Sequence, residues 1–114
     1  MAKKIDLEAG EEIVVQTKSD TKWKSKSMKN EQQYTGHLTV TNKKVIFRQT
    51  ALVSGLDLYF NLDEIDNVSV VSGGLFSKAV SISLKTDKYG TGNKQIFKVP
   101  KAEEITAAIQ QQMK

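Results

Sequence analysis

Few residues in this chain could do covalent or proton-transfer chemistry. His37 is the only histidine among 114 residues and there is no cysteine, so a Ser–His or Cys–His nucleophile and a thiolate zinc site both lack their parts. His37 also shares its parity with Thr35, Thr39 and Thr41, the position of a surface residue in a half-buried strand. Asp63, Glu64 and Asp66 crowd one connection but lack the spaced oxygen ligands of a calcium loop. Gly73-Gly74 and Gly90-Thr91-Gly92 lack the strand-to-helix setting of a phosphate-cradling loop and read as hairpin turns. No catalytic residue, metal or cofactor is expected, and the chain is expected not to be an enzyme.

The basic residues have more to offer. Lys18, Lys22, Lys24, Lys26 and Lys29 crowd the string KSDTKWKSKSMKNEQQ at 18–33 against Asp20 and Glu31, with Trp23, the only tryptophan, between two of them. The string shows neither helical nor strand periodicity and reads as a working loop. Each lysine near an anionic leaflet contributes about 1 kcal/mol. Five, less Asp20, give about 4 kcal/mol, or roughly millimolar affinity. Such binding is non-specific and needs Trp23 or Met28 inserted at the interface, or several linked copies, to become useful. The plainer reading folds Trp23 back onto the protein and leaves the lysines as a solvated rim. Arg48 is the sole arginine among 17 basic residues, and arginine is the residue that pairs bidentately with phosphate and guanine. That argues against a sequence-reading nucleic-acid protein, and one aromatic makes a poor platform for a stacked single strand.

These residues must be positioned by strands. In YTGHLTVTNKKVIFRQ, at 34–49, Tyr34, Leu38 and Val40 form an inward row, and Asn42 divides it from the β-branched and aromatic run Val45-Ile46-Phe47. This is a hairpin pattern. Ile13-Val14-Val15 suggests a first strand reaching about Lys18. Leu56 to Phe60, Ile65 to Ser72, Ala79 to Thr86 and Gln95 to Val99 alternate as further strands, with Ile96 outward. Pro100 stops the last one. Ala102, Ile105, Ala108, Ile109 and Met113 then recur at helical spacing behind Glu103 and Glu104, which suit a helix N-terminus. Length and composition, 39% hydrophobic, fit one folded domain over 1–114.

Seven strands and a closing helix, with LEAGEEIV at 7–14, GHLTVTNKKVIF at 36–47, NLDEIDNV at 61–68 and GGLF at 73–76, resemble a pleckstrin-homology-like (PH-like) domain of the GRAM and bacterial PH type. The resemblance implies a mainly β split barrel, seven antiparallel strands in two near-orthogonal sheets, capped by the C-terminal helix with Ile105, Ile109 and Met113 over the mouth. It also implies a non-catalytic binding module: a protein-interaction or self-assembly adaptor, or a weak peripheral binder of anionic lipid through the basic loop. Lys18, Lys22, Lys24 and Lys26 stand where lipid-binding relatives hold headgroups, but the strand from Tyr34 adds no Lys or Arg before Lys43, so half of a tight pocket is missing. Ile46 and Ile96, read as outward apolar residues, are the candidate interaction edge. No run of eighteen apolar residues spans a bilayer, and Met1 to Gly10 lacks a secretory apolar stretch. The expected place is the cytoplasm, with peripheral attachment to a membrane as the alternative.

Overall fold

A computed structural model describes residues 7–23, 29–50, 55–74, 77–90 and 92–114. Seven antiparallel strands, β1 (Ile13–Trp23), β2 (Gln32–Thr41), β3 (Lys44–Gln49), β4 (Asp57–Asn61), β5 (Ile65–Gly74), β6 (Ser77–Leu84) and β7 (Lys94–Lys98), precede one helix, α1 (Ala102–Gln112). The inward rows coincide with the apolar alternation. Leu38, Val40, Val45, Phe47, Leu58, Phe60, Val80, Ile82 and Phe97 are buried, and Phe97 stands between Phe47 and Phe60 at ring separations of 5.6 and 6.0 Å.

The strands form one curled sheet in the order β4-β3-β2-β1-β7-β6-β5. The two expected sheets are its halves, joined where β1 meets β7 through two pairs among the described residues, Asp20 with Lys98 and Thr21 with Phe97. Side chains reinforce this thin seam. Thr21 Oγ1 donates to the Ile96 carbonyl at 2.6 Å, and Gln95 Nε2 donates to Thr21 Oγ1 at 2.6 Å and to the Lys22 carbonyl at 2.8 Å. The sheet opens between its two outer strands, β4 and β5, which are consecutive in the chain and linked by a 3₁₀ turn at Leu62–Glu64. The helix packs into the half-barrel with Ala102, Ile105 and Ile109 buried. Burying the two isoleucines contributes about 1.5–3 kcal/mol each, so α1 is a structural plug.

Two expectations need correction. The first strand does not end near Lys18. It continues to Trp23 and pairs residue by residue with β2, from Thr17 opposite Leu38 to Trp23 opposite Gln32. Its inward row there is Thr17, Ser19 and Thr21, small hydroxyl residues with no hydrophobic alternation to betray a strand. Ile46, taken as an outward interaction edge, is only 6% exposed. Its parity is outward, but β3 is an interior strand, and Thr39 and Tyr59 flank Ile46 on the neighbouring strands. Ile96 is outward and 43% exposed, on a strand that also has neighbours on both sides.

Candidate functional site

At the seam the outward rows of β1 and β7 face a common space. KQIFK, at 94–98, alternates, so Lys94, Ile96 and Lys98 stand on one side of β7 while Phe97 points inward. Asp20 and Lys22 stand on the corresponding side of β1. Together with Glu31, Gln33, Ser72 and Gly74 they line an open cleft of about 450 Å³. Gly74 has φ of +130° at the end of β5, a backbone that side-chain-bearing residues rarely adopt, so no side chain narrows the cleft there.

Three lysines and two carboxylates meet at this cleft. Lys22, Lys94 and Lys98 are exposed and, among the described residues, have no ion-pair partner. Asp20 Oδ1 accepts a hydrogen bond at 2.7 Å from the hydroxyl of Thr35, its cross-strand partner, which turns it toward β2. The exposed Ile96 lies between the two β7 lysines. The arrangement suits an anion that also presents some apolar or hydroxyl surface, and the carboxylates set a limit on how much negative charge it can carry.

The six ligand residues expected from the basic string are not brought together. Lys22 is in the cleft. Lys18 is also on the outer side of β1 but opposite His37, in a row that continues to Arg48. His37 is held below the usual histidine range by burial and then by nearby positive charge, Lys18 included, so it is neutral at pH 7. Lys29 is exposed beyond the cleft. Lys24 and Lys26 lie outside the described residues. Trp23 turns to the inner side, packs against the core and meets Tyr34 edge-on at 6.4 Å, which is the folded-back arrangement. Lys94 and Lys98 were not singled out from the sequence. Their shared parity with Ile96 was legible, but the neighbourhood of β7 and β1 was not.

A family model described as bacterial PH domain matches residues 7–111. Among solved structures, a Vps36 N-terminal PH domain superposes with a TM-score of 0.67 at 19% identity, covering 94% of this chain and 82% of that one. The C-terminal domain of an unknown protein from Leishmania infantum superposes with a TM-score of 0.61 at 18% identity, covering 92% and 86%. Comparison with curated proteins gives no match. At these identities the two structures speak for the fold alone.

Proposed function

This chain belongs to the bacterial PH domain family, and we propose that it is a binding module whose β1–β7 cleft takes an anionic, phosphate-bearing group at a membrane surface. The observation that carries the reading is the set of three lysines, Lys22, Lys94 and Lys98, with no ion-pair partner among the described residues, around one open cleft. The half-buried Lys44 and Lys88, by contrast, are held by carboxylates. Three lysines contribute about 3 kcal/mol toward an anionic surface, and Asp20 and Glu31 subtract from that. A single cleft is therefore weaker than millimolar, which corresponds to about 4 kcal/mol. Burial of Ile96 adds to it, as do further copies held on the same surface. Among the described residues no helix is long and apolar enough to cross a membrane, so the contact is peripheral.

Co-sedimentation with phosphatidylglycerol vesicles against phosphatidylcholine vesicles tests the reading. The chain is expected to pellet with the former only, and glycerol phosphate added in solution separates a requirement for the bilayer from affinity for the phosphate group itself. Equal pelleting of the wild type and a Lys22→Glu, Lys94→Glu, Lys98→Glu variant would refute it. A protein-interaction or self-assembly role draws instead on the free margin of β5, whose Ser72 and Gly74 also border the cleft.

A further inference from the structure

The two margins of the sheet are finished differently. On β4 the Tyr89 hydroxyl accepts from the Tyr59 N–H at 2.9 Å and donates to the Tyr59 carbonyl at 3.0 Å, and Lys88 Nζ donates to the same carbonyl at 2.9 Å. The outward peptide groups of the middle residue of β4 are thus occupied by side chains, and Lys88 lies 3.6 Å over the Tyr59 ring. No strand can add there without displacing them.

The opposite margin is β5. Gln110 Nε2 of α1 donates to the Val68 carbonyl at 3.0 Å, which marks the side to which that carbonyl turns. In an antiparallel ladder, residues two apart turn their peptide groups to the same side, so Val70 and Ser72 present theirs outward as well. Val70 is 37% exposed. The segment at 67–74, NVSVVSGG, holds no charge in a chain that is 26% charged. Natural edges ordinarily carry lysine, proline or a cover. Beyond Val68 this one has none of the three among the described residues, and the ladder irregularity between Ser72 and Gly74 falls at its far end.

We infer that the β5 margin is a self-association surface, on which β5 of a second copy pairs antiparallel across a two-fold axis near Val71. With the axis there, Val70 of each copy sits opposite Ser72 of the other, and the outward N–H and C=O groups of all four residues meet in ladder bonds. The occupant is a second copy because of charge. A two-fold contact sets a segment against itself, and an uncharged segment brings no like charges together. The same neutrality gives a charged foreign segment nothing to complement. A two-fold perpendicular to the sheet at β5 also keeps the same face of both β5 strands on one side, and because Ser72 and Gly74 border the β1–β7 cleft, it would bring two anion-binding clefts close together at the join. That corollary rests on the function proposed above; the pairing does not.

Sedimentation equilibrium of the full chain over a wide concentration range, without lipid, tests the pairing separately from the cleft. A reversible dimer is expected. Val70→Lys, which sets charges close to the axis, and Val70→Pro, which removes an outward N–H while leaving the β6 ladder intact, should each weaken the dimer at least about tenfold. Circular dichroism melts within a few degrees of wild type would show that both variants fold; should Val70→Pro unfold, Val70→Lys decides. Amide exchange at Val70 and Ser72 should slow as the protein is concentrated. A monomer at every concentration, a dimer untouched by a folded variant, or exchange at those amides independent of concentration would each overturn the inference.

Discussion

Lysine does opposite work at the two ends of β2. At the β2–β3 turn, Lys44 Nζ reaches Glu8 at 3.0 Å and Glu11 at 3.5 Å. Glu11, whose side chain is fully enclosed, also accepts from the Thr41 hydroxyl at 2.6 Å. Asn42 ties the same segment down, donating to the Gly10 carbonyl and accepting from the Glu12 N–H. In the β1–β7 cleft, Lys22, Lys94 and Lys98 have no such partners among the described residues. A lysine whose charge is already met holds the fold together and has nothing left for a ligand. One whose charge is unmet adds little stability and remains available. Exposure and pairing, rather than residue type or position in a basic run, separate the two uses.

If the division is real, changes at the corner should move stability and leave anion binding alone. The largest effect is expected from Lys44→Glu, which sets an acid beside Glu8 and the enclosed Glu11. Breaking a buried pair costs about 3–5 kcal/mol, a large part of a typical total of 5–15, and a thermal melt would show it. Retained stability would erase the contrast. Glu11→Gln should cost about 1.5–3 kcal/mol, the worth of hydrogen bonds to a charged group.

The same carboxyl predicts an acid limb. Burial alone would raise the Glu11 pKa, but the Thr41 hydroxyl, the Glu8 backbone N–H and Lys44 together hold it below the usual glutamate range. Glu64 is lowered in the same way, against its burial, by Lys88 and Asn61. A carboxyl lowered in the folded state contributes fully above its unfolded value of about 4.3 and loses that contribution as pH falls through the lower folded value. Melting temperature should therefore hold steady from neutrality to about pH 5 and drop below about pH 4, and Glu11→Gln should flatten the drop. An unchanged acid limb in that variant would move the origin of the effect elsewhere.

Changes at the cleft should do the reverse. Raising ionic strength toward about 0.5 M, where screening acts over only a few ångströms, should strip the chain from phosphatidylglycerol vesicles without lowering its melting temperature appreciably. Smallest of all, Asp20→Asn or Glu31→Gln removes a repulsive charge and should tighten vesicle binding roughly fivefold, by analogy with about 1 kcal/mol per charge at a surface. Weaker binding in those variants would show that the carboxylates touch the ligand instead of limiting it.

The fold was legible wherever a buried row is apolar. Leu38, Val40, Val45 and Phe47 mark the β2–β3 hairpin, Val80 and Ile82 mark β6, and Ile105 and Ile109 mark the helix. It was illegible in the second half of β1, where Ser19 and Thr21 are buried hydroxyl residues that look in sequence like a polar loop. The parity of Ile46 could be read correctly and its burial could not, because burial depends on which strands lie alongside. The same holds for the cleft: Lys22 and Lys94 are 72 positions apart, and only the β1–β7 seam makes them neighbours. Periodicity reports which way a side chain points, and topology decides what it meets there.

The bracket that Tyr89 places around the Tyr59 peptide bears on how far any growth of the sheet can go. Burial holds the Tyr89 hydroxyl protonated beyond the ordinary tyrosine range, so the seal persists at any physiological pH. With one margin sealed, the pairing inferred at the other would use up the remaining free strand, and assembly would halt at two. Were both the Tyr89 phenol and the Lys88 ammonium removed from the Tyr59 peptide groups, β4 would lie open as well, and a second two-fold contact alternating with the first would turn a self-limiting pair into the beginning of a fibre.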